Sequence, residues 1–136
     1  MANILLIDDD DLVRRSVAAH LEAADHVVTL AGDGGAALKI LGAETFDLII
    51  TDLLMPELEG MEFIRLARRS SVVPIIAMTG AAVGWRPTET SPGADYLAMA
   101  YRLGATKTLR KPFSPKQLLD LVDECLGFDG TRRSGP

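Results

Sequence analysis

Cysteine is scarce in this chain. It occurs once, at Cys125, so an internal disulfide is excluded and a reducing compartment is expected. Basic charge is short as well: 14 Lys and Arg stand against 19 Asp and Glu, for a net charge of −5. A direct nucleic-acid binder needs a basic face, so direct binding is not expected, although an acidic domain can serve a partner that binds nucleic acid. No apolar run approaches the ~20 residues that span a bilayer. The N-terminus shows neither a basic region nor a cleavage-site pattern. The expectation is a soluble cytoplasmic protein with no membrane association. His20 and His26 are the only histidines and are read as isolated surface or edge residues. No second ligand at metal spacing accompanies either one.

What is present is enough for one ordinary domain with a core: 136 residues, 48% hydrophobic and 24% charged. The segments alternate in type. NILLI (3–7) is a continuous apolar run that suits a strand buried on both faces. It ends in four aspartates. Asp8 and Asp9 close the strand; Asp10 or Asp11 can cap the helix that follows, where Val13, Val17 and Leu21 form an apolar stripe. HVVTLA (26–31) reads as a second strand, and a short helix turns Ala37, Leu38 and Leu41 inward. FDLIITD (46–52) reads as a third strand, and the helix after it carries Phe63, Ile64 and Ala67 on one side. VVPIIAMTG (72–80) reads as a fourth strand, followed by a helix ending at Gly104. A short fifth strand leads to Lys111. The last helix has Ser114 as N-cap, Pro115 at its first position, and Leu118, Leu121, Val122 and Cys125 as its stripe. Residues 80–93 are rich in Gly, Pro, Ser and Thr and read as a long loop; residues 127–136 read as a flexible tail. Five βα units with apolar strands predict a parallel sheet covered by helices on both faces.

Ligands of an open parallel sheet bind beyond the C-terminal ends of its strands. Here those ends carry Asp8 and Asp9, Asp52, Thr79 and Lys111. Asp and Thr are common just before helices, so each alone can be a cap. Four of five strand ends bearing charged or reactive groups is a different matter. Clustered carboxylates without His or Cys favour a hard divalent cation with oxygen ligands. An aspartate can accept a phosphoryl group as an acyl phosphate. Phosphoryl transfer then needs positioning and neutralisation of the equatorial oxygens, which a metal, an ammonium and a hydroxyl supply.

The blocks LLIDDD, DLIITDLLMPELEG, IIAMTG and LRKPF, in this order and at strand ends, resemble the signatures of response-regulator receiver domains (the CheY-like superfamily of two-component signalling). The resemblance covers about residues 3–126. It implies a flavodoxin-like, doubly wound (βα)5 fold with strand order 2-1-3-4-5, a receiver over residues 1–126 and a tail over 127–136. It implies Asp52 as phosphoacceptor, Asp9 as direct metal ligand, Asp8 acting through water, and the Leu54 carbonyl as a further ligand for Mg2+ or Mn2+. Thr79 matches the switch hydroxyl and Lys111 the lysine that pairs with the phosphoryl group. Pro112 sits where a cis peptide is usual, and Met55, Pro56 and Gly60 match the turn after the phosphoacceptor, with Gly60 relieving backbone strain. The implied partners are a sensor histidine kinase or a histidine phosphotransfer protein, and a downstream protein. The downstream protein, or a homodimer, engages the face of the fourth helix, fifth strand and fifth helix, about residues 95–126. Weak self-phosphorylation from small phosphodonors and self-dephosphorylation are implied; a classical enzyme is not.

The sequence departs from the pattern at three places, one being Leu54 and Ala81, which lie where related proteins often place polar side chains near the attacking water, so that slow spontaneous loss of the phosphoryl group is expected. Thr108 stands where an aromatic switch residue is usual, and the stretch from Thr79 to Lys111 is longer than usual. Trp85, within the extra length, is read as packed or disordered rather than as a lid. These departures keep open a degenerate receiver that acts as a phosphorylation-independent interaction module. A phosphatase of the haloacid-dehalogenase type needs a second acid two residues after its nucleophile, and Leu54 stands there.

Overall fold

The computed structural model describes residues 1–53, 59–80 and 92–127, with the backbone alone for 59 and 92–97. Its elements alternate as expected: β1 (Asn3–Ile7), α1 (Asp11–Ala23), β2 (Val27–Ala31), α2 (Gly34–Ala43), β3 (Leu48–Asp52), α3 (Glu59–Ala67), β4 (Ile75–Thr79), α4 (Pro92–Leu103), β5 (Lys107–Arg110) and α5 (Pro115–Leu126). All strand pairings are parallel, and the order is β2-β1-β3-β4-β5.

The period-2 alternation of each strand divides the core into two layers. Leu5, Ile7, Ile49, Ile75 and Ala77 pack with Ala37, Phe63, Ile64 and Ala100 of α2, α3 and α4. Ile4, Leu6, Leu48, Ile50, Ile76 and Met78 face the other way, onto Val17, Leu21, Leu118 and Val122 of α1 and α5. A central strand covered on both sides has no solvent face, which is why all of β3 is buried.

The caps follow local chemistry. Asp10 accepts from the Leu12 and Val13 amides to start α1. Ser114 and Gln117 form a reciprocal capping box at α5, with Pro115 at the first turn. Gly127 ends α5 in the left-handed region.

Two expectations need correction. Pro92 and Gly93 belong to α4 and not to a loop, because the first turn of a helix tolerates a residue without an N–H. His26 lies just before β2 and is buried, where its Nδ1 accepts the Ala2 amide at 3.2 Å. Cys125 and Leu121 pack half-buried against the second layer, as the stripe of α5 predicts; burial pushes the Cys125 thiol up. Trp85 and residues 81–91 lie outside the described residues, as do Leu54, Met55, Pro56 and the tail from 128 onward.

One side chain ties the far end of the sheet together. Arg68, just after α3, donates to the Gly104 carbonyl from Nε and Nη2 (3.0 and 2.8 Å) and from Nη1 to Val73 (2.6 Å) and Ser71 (3.2 Å). Gly104 has φ 123°, and a Cβ there would fall 2.6 Å from Arg68 Cγ. Arg68→Met leaves these carbonyls without their donor. It is expected to lower unfolding stability by about 2–3 kcal/mol, measured by urea denaturation. Arg65→Met, which removes only an exposed ion pair with Glu62, should cost clearly less.

Candidate functional site

The site is built at the C-terminal edge of the three central strands. β1 and β3 are neighbours in register Ile7↔Thr51, so the next residues, Asp8 and Asp52, emerge side by side. β4 follows with Asp52↔Met78, and β5 with Thr79↔Arg110. The register therefore carries Lys111 to the same edge, where its amide donates to the Thr79 carbonyl at 2.6 Å. The Lys111–Pro112 bond is cis.

Carboxylate oxygens of Asp8, Asp9 and Asp52 lie within 4.8 Å of one another. Asp8 is fully buried, Asp52 is 5% exposed, and Asp9 is open to solvent. Lys111 Nζ reaches Asp8 Oδ2 at 3.1 Å and Asp52 Oδ2 at 3.4 Å. Asp8 Oδ1 accepts the Asp10 amide at 2.9 Å. Burial pulls the Lys111 ammonium down, but Asp52 and Asp8 together outweigh it and hold lysine above its ordinary range.

The electrostatic balance is lopsided. Two like charges near 4 Å repel by roughly 4 kcal/mol at an effective dielectric of ~20, and here three carboxylates face one ammonium. A divalent cation offsets such a cluster, and an all-oxygen donor set suits a hard ion such as Mg2+. The residues present therefore fit one. Among the described residues this is the one group of three or more potential ligand side chains.

The structure thus brings Asp8, Asp9, Asp52, Thr79 and Lys111 to one edge, and Leu54 lies outside the described residues. Gly60 has a different reason from the expected one. Its φ is not in the left-handed region. Instead, α3 passes so close to the end of β3 that a Cβ on Gly60 would overlap the Asp52 carbonyl oxygen and lie 2.7 Å from Leu53 Cα.

Two further residues escaped sequence reasoning. Arg14 of α1 donates from Nη1 to the Asp8 carbonyl at 2.6 Å and from Nη2 to Asp11 at 2.7 Å. The Asp11–Arg14 spacing of i, i+3 signals the ion pair, but nothing in it signals the strand-end contact. Tyr101 of α4 places its hydroxyl 3.3 Å from that of Thr108, so an aromatic ring from the helix meets the position where the strand lacks one. Beside the site, Leu12, Val13, Val17 and Phe113 line a groove that runs to Lys111 and Pro112.

Comparison with known proteins gives the family and the fold. The model of the response regulator receiver domain family matches residues 4–123. The chain is 34% identical over 131 residues to the response regulator receiver protein CpdR of Brucella abortus, covering 93% of this chain and 98% of that protein. It is 32% identical over 123 residues to the transcriptional activator protein PfeR of Pseudomonas aeruginosa, covering 90% of this chain but only 37% of the relative. Among solved structures, the chemotaxis response regulator CheY4 of Vibrio cholerae superposes with a TM-score of 0.78 at 34% identity, covering 93% of this chain and 99% of that one. A CheY-like receiver domain protein from Methanospirillum hungatei gives a TM-score of 0.81 at 26% identity, covering 93% and 94%.

Proposed function

The chain belongs to the response-regulator receiver family of two-component signalling, and we propose that Asp52 is its phosphoacceptor, charged from a phosphohistidine of a sensor histidine kinase or a phosphotransfer protein. Receiver domains are regulatory phosphoacceptors and not classical enzymes. The observation that carries the reading is that Asp52 shares one cluster with Asp8 and Asp9 while Lys111 Nζ reaches both Asp52 (3.4 Å) and Asp8 (3.1 Å).

The transfer is written simply. An Asp52 carboxylate oxygen attacks phosphorus, the P–N bond of the phosphohistidine breaks, and its electron pair stays on the imidazole. The product is an acyl phosphate on Asp52. Asp8, Asp9, Asp52 and the Leu54 carbonyl would hold Mg2+ or Mn2+, which when bound supplies charge neutralisation for the phosphoryl oxygens. Lys111 gives those oxygens an ammonium already held at the edge, and the Thr79 hydroxyl gives them a donor. The groove beside Lys111, with Leu12 78% exposed at its rim, offers apolar surface to a protein donor next to Asp52. Small phosphodonors that lack such surface are expected to charge Asp52 weakly.

Charge on Asp52 draws Thr79 toward it and biases β4 and β5 between two states. Readout is proposed at the α4–β5–α5 face. Three observations support a coupled face: Tyr101 reaches Thr108, Lys107 reaches Glu124 of α5 at 3.8 Å, and Met99 and Tyr101 are exposed on α4. A downstream protein or a second copy of the chain is the proposed reader. The receiver is assigned to residues 1–126 and a tail to 127–136. Output is left to partners or linked domains, because this chain spans 37% and 27% of the curated relatives PfeR and FleR.

The test uses the full chain with Mg2+ and acetyl phosphate, followed by intact mass, beside beryllofluoride-induced structural change. A metal-dependent adduct of one phosphoryl group is expected, absent in Asp52→Asn. An adduct that persists in Asp52→Asn defeats the assignment. No adduct and no beryllofluoride response favours the phosphorylation-independent module.

A further inference from the structure

We infer that Arg14 is a positioning residue for the divalent-cation site, an inference that rests on the receiver reading above. The Asp8 carboxylate is held twice, by the Asp10 amide and by Lys111. Asp9 differs: among the described residues nothing bonds its carboxylate, so what they contribute to its direction comes through the backbone. The peptide that joins Asp8 to Asp9 is planar, and fixing its carbonyl fixes the plane from which Asp9 departs. Arg14 does this with a charge-assisted bond of 2.6 Å from Nη1 to the Asp8 carbonyl.

The guanidinium suits the task for two reasons. Its planar fork serves two acceptors at once, and the other end is taken by Asp11 at 2.7 Å. Asp11 offsets the positive charge, so Arg14 can hold the carbonyl while competing less with a cation for the same edge. The side chain is also enclosed. It is 18% exposed, and its Nη1 lies over Gly32, where a Cβ would come within 3.4 Å. An ordinary helix-surface ion pair has neither feature. Arg15 provides the contrast: it bonds the other oxygen of Asp11 at 3.2 Å, is 73% exposed, and among the described residues makes no hydrogen bond to the strand end.

The test reads metal binding directly, by electron paramagnetic resonance of free Mn2+ titrated with the 136-residue chain, together with thermal unfolding of the metal-free protein. Arg14→Met is expected to weaken Mn2+ binding about tenfold, the lower end of what loss of a ligand-orienting partner costs. Arg15→Met should bind as the parent does, and Asp9→Asn should lose binding. Arg14→Lys keeps the charge without the planar fork; it is expected to fall several-fold and carries the test if Arg14→Met does not fold. A merely structural Arg14 would lower the unfolding temperature and leave the affinity unchanged. Parent-like Mn2+ affinity in a folded Arg14 variant, beside lost binding in Asp9→Asn, overturns the inference and leaves the receiver reading intact. Failure of the parent chain to bind Mn2+, or undiminished binding in Asp9→Asn, overturns both.

Discussion

Gly60→Ala is expected to destabilise the fold by about 3 kcal/mol or more, the upper end of the cost of overpacking a filled site. Gly60 is buried in the first turn of α3. A methyl group there meets the Asp52 carbonyl oxygen, Leu53 Cα at 2.7 Å and the Asp52 carbonyl carbon at 3.0 Å. All three are backbone atoms, so no flexible side chain can swing aside. Either the end of β3 or the start of α3 must move. Both changes displace Asp52, and misplacement of a reacting group by about 1 Å can cost ~100-fold in rate. Urea denaturation and the rate of phosphorylation by acetyl phosphate should therefore fall together. Gly42→Ala is the matched control. Gly42 lies in α2 with nothing within 4 Å of its Cβ position, so alanine there should stabilise by roughly 0.5–1 kcal/mol. Equal effects at the two glycines would show that the close approach does not exist.

Gly60 also marks where sequence reasoning stops. The alternation of apolar runs with amphipathic stripes made all five βα units legible, because a strand buried on both faces must be continuously apolar and a covering helix must carry a stripe. The parallel order then made the site legible. Strand ends of a parallel sheet share one edge, so Asp8, Asp52, Thr79 and Lys111 had to converge once the strands were placed. Contacts set by distance between elements were not legible. The pattern marks Gly60 but not its reason, which is the approach of α3 to a β3 carbonyl. Arg14 reads as half of an i, i+3 pair, yet its second bond reaches a strand end. His26 reads as an edge residue, yet its ring is buried and bonds the Ala2 amide. Thr108 reads as the loss of an aromatic, and only the packing of α4 brings Tyr101 to it.

Lys111→Met should give the largest loss in the site itself. In the metal-free protein at neutral pH the expected cost is about 3–5 kcal/mol, the usual result of removing one partner of a buried ion pair. Asp8 is fully buried and Asp52 nearly so, and Lys111 is the cation bonded to both. Two measurements separate this cause from lost packing. The first is pH. The two carboxylates hold Lys111 above the ordinary lysine value of 10.5 in the folded state. A raised lysine stabilises fully below the unfolded value and loses that contribution as pH climbs through the folded one. The stability gap between parent and Lys111→Met should thus stay level between about pH 7 and 9 and narrow only above about 10.5. The second is Mg2+. A ligand that binds only the folded state stabilises it, and in Lys111→Met the cation would relieve repulsion that the lysine no longer offsets. Mg2+ should therefore raise the unfolding temperature of the variant by more than it raises that of the parent. At the same time, Lys111→Met should be charged far more slowly at Asp52, since the phosphoryl oxygens lose their ammonium. A gap that is constant to high pH, with equal Mg2+ shifts in both proteins, would mean that Lys111 acts through its aliphatic stem beside Gly80 and not through its charge.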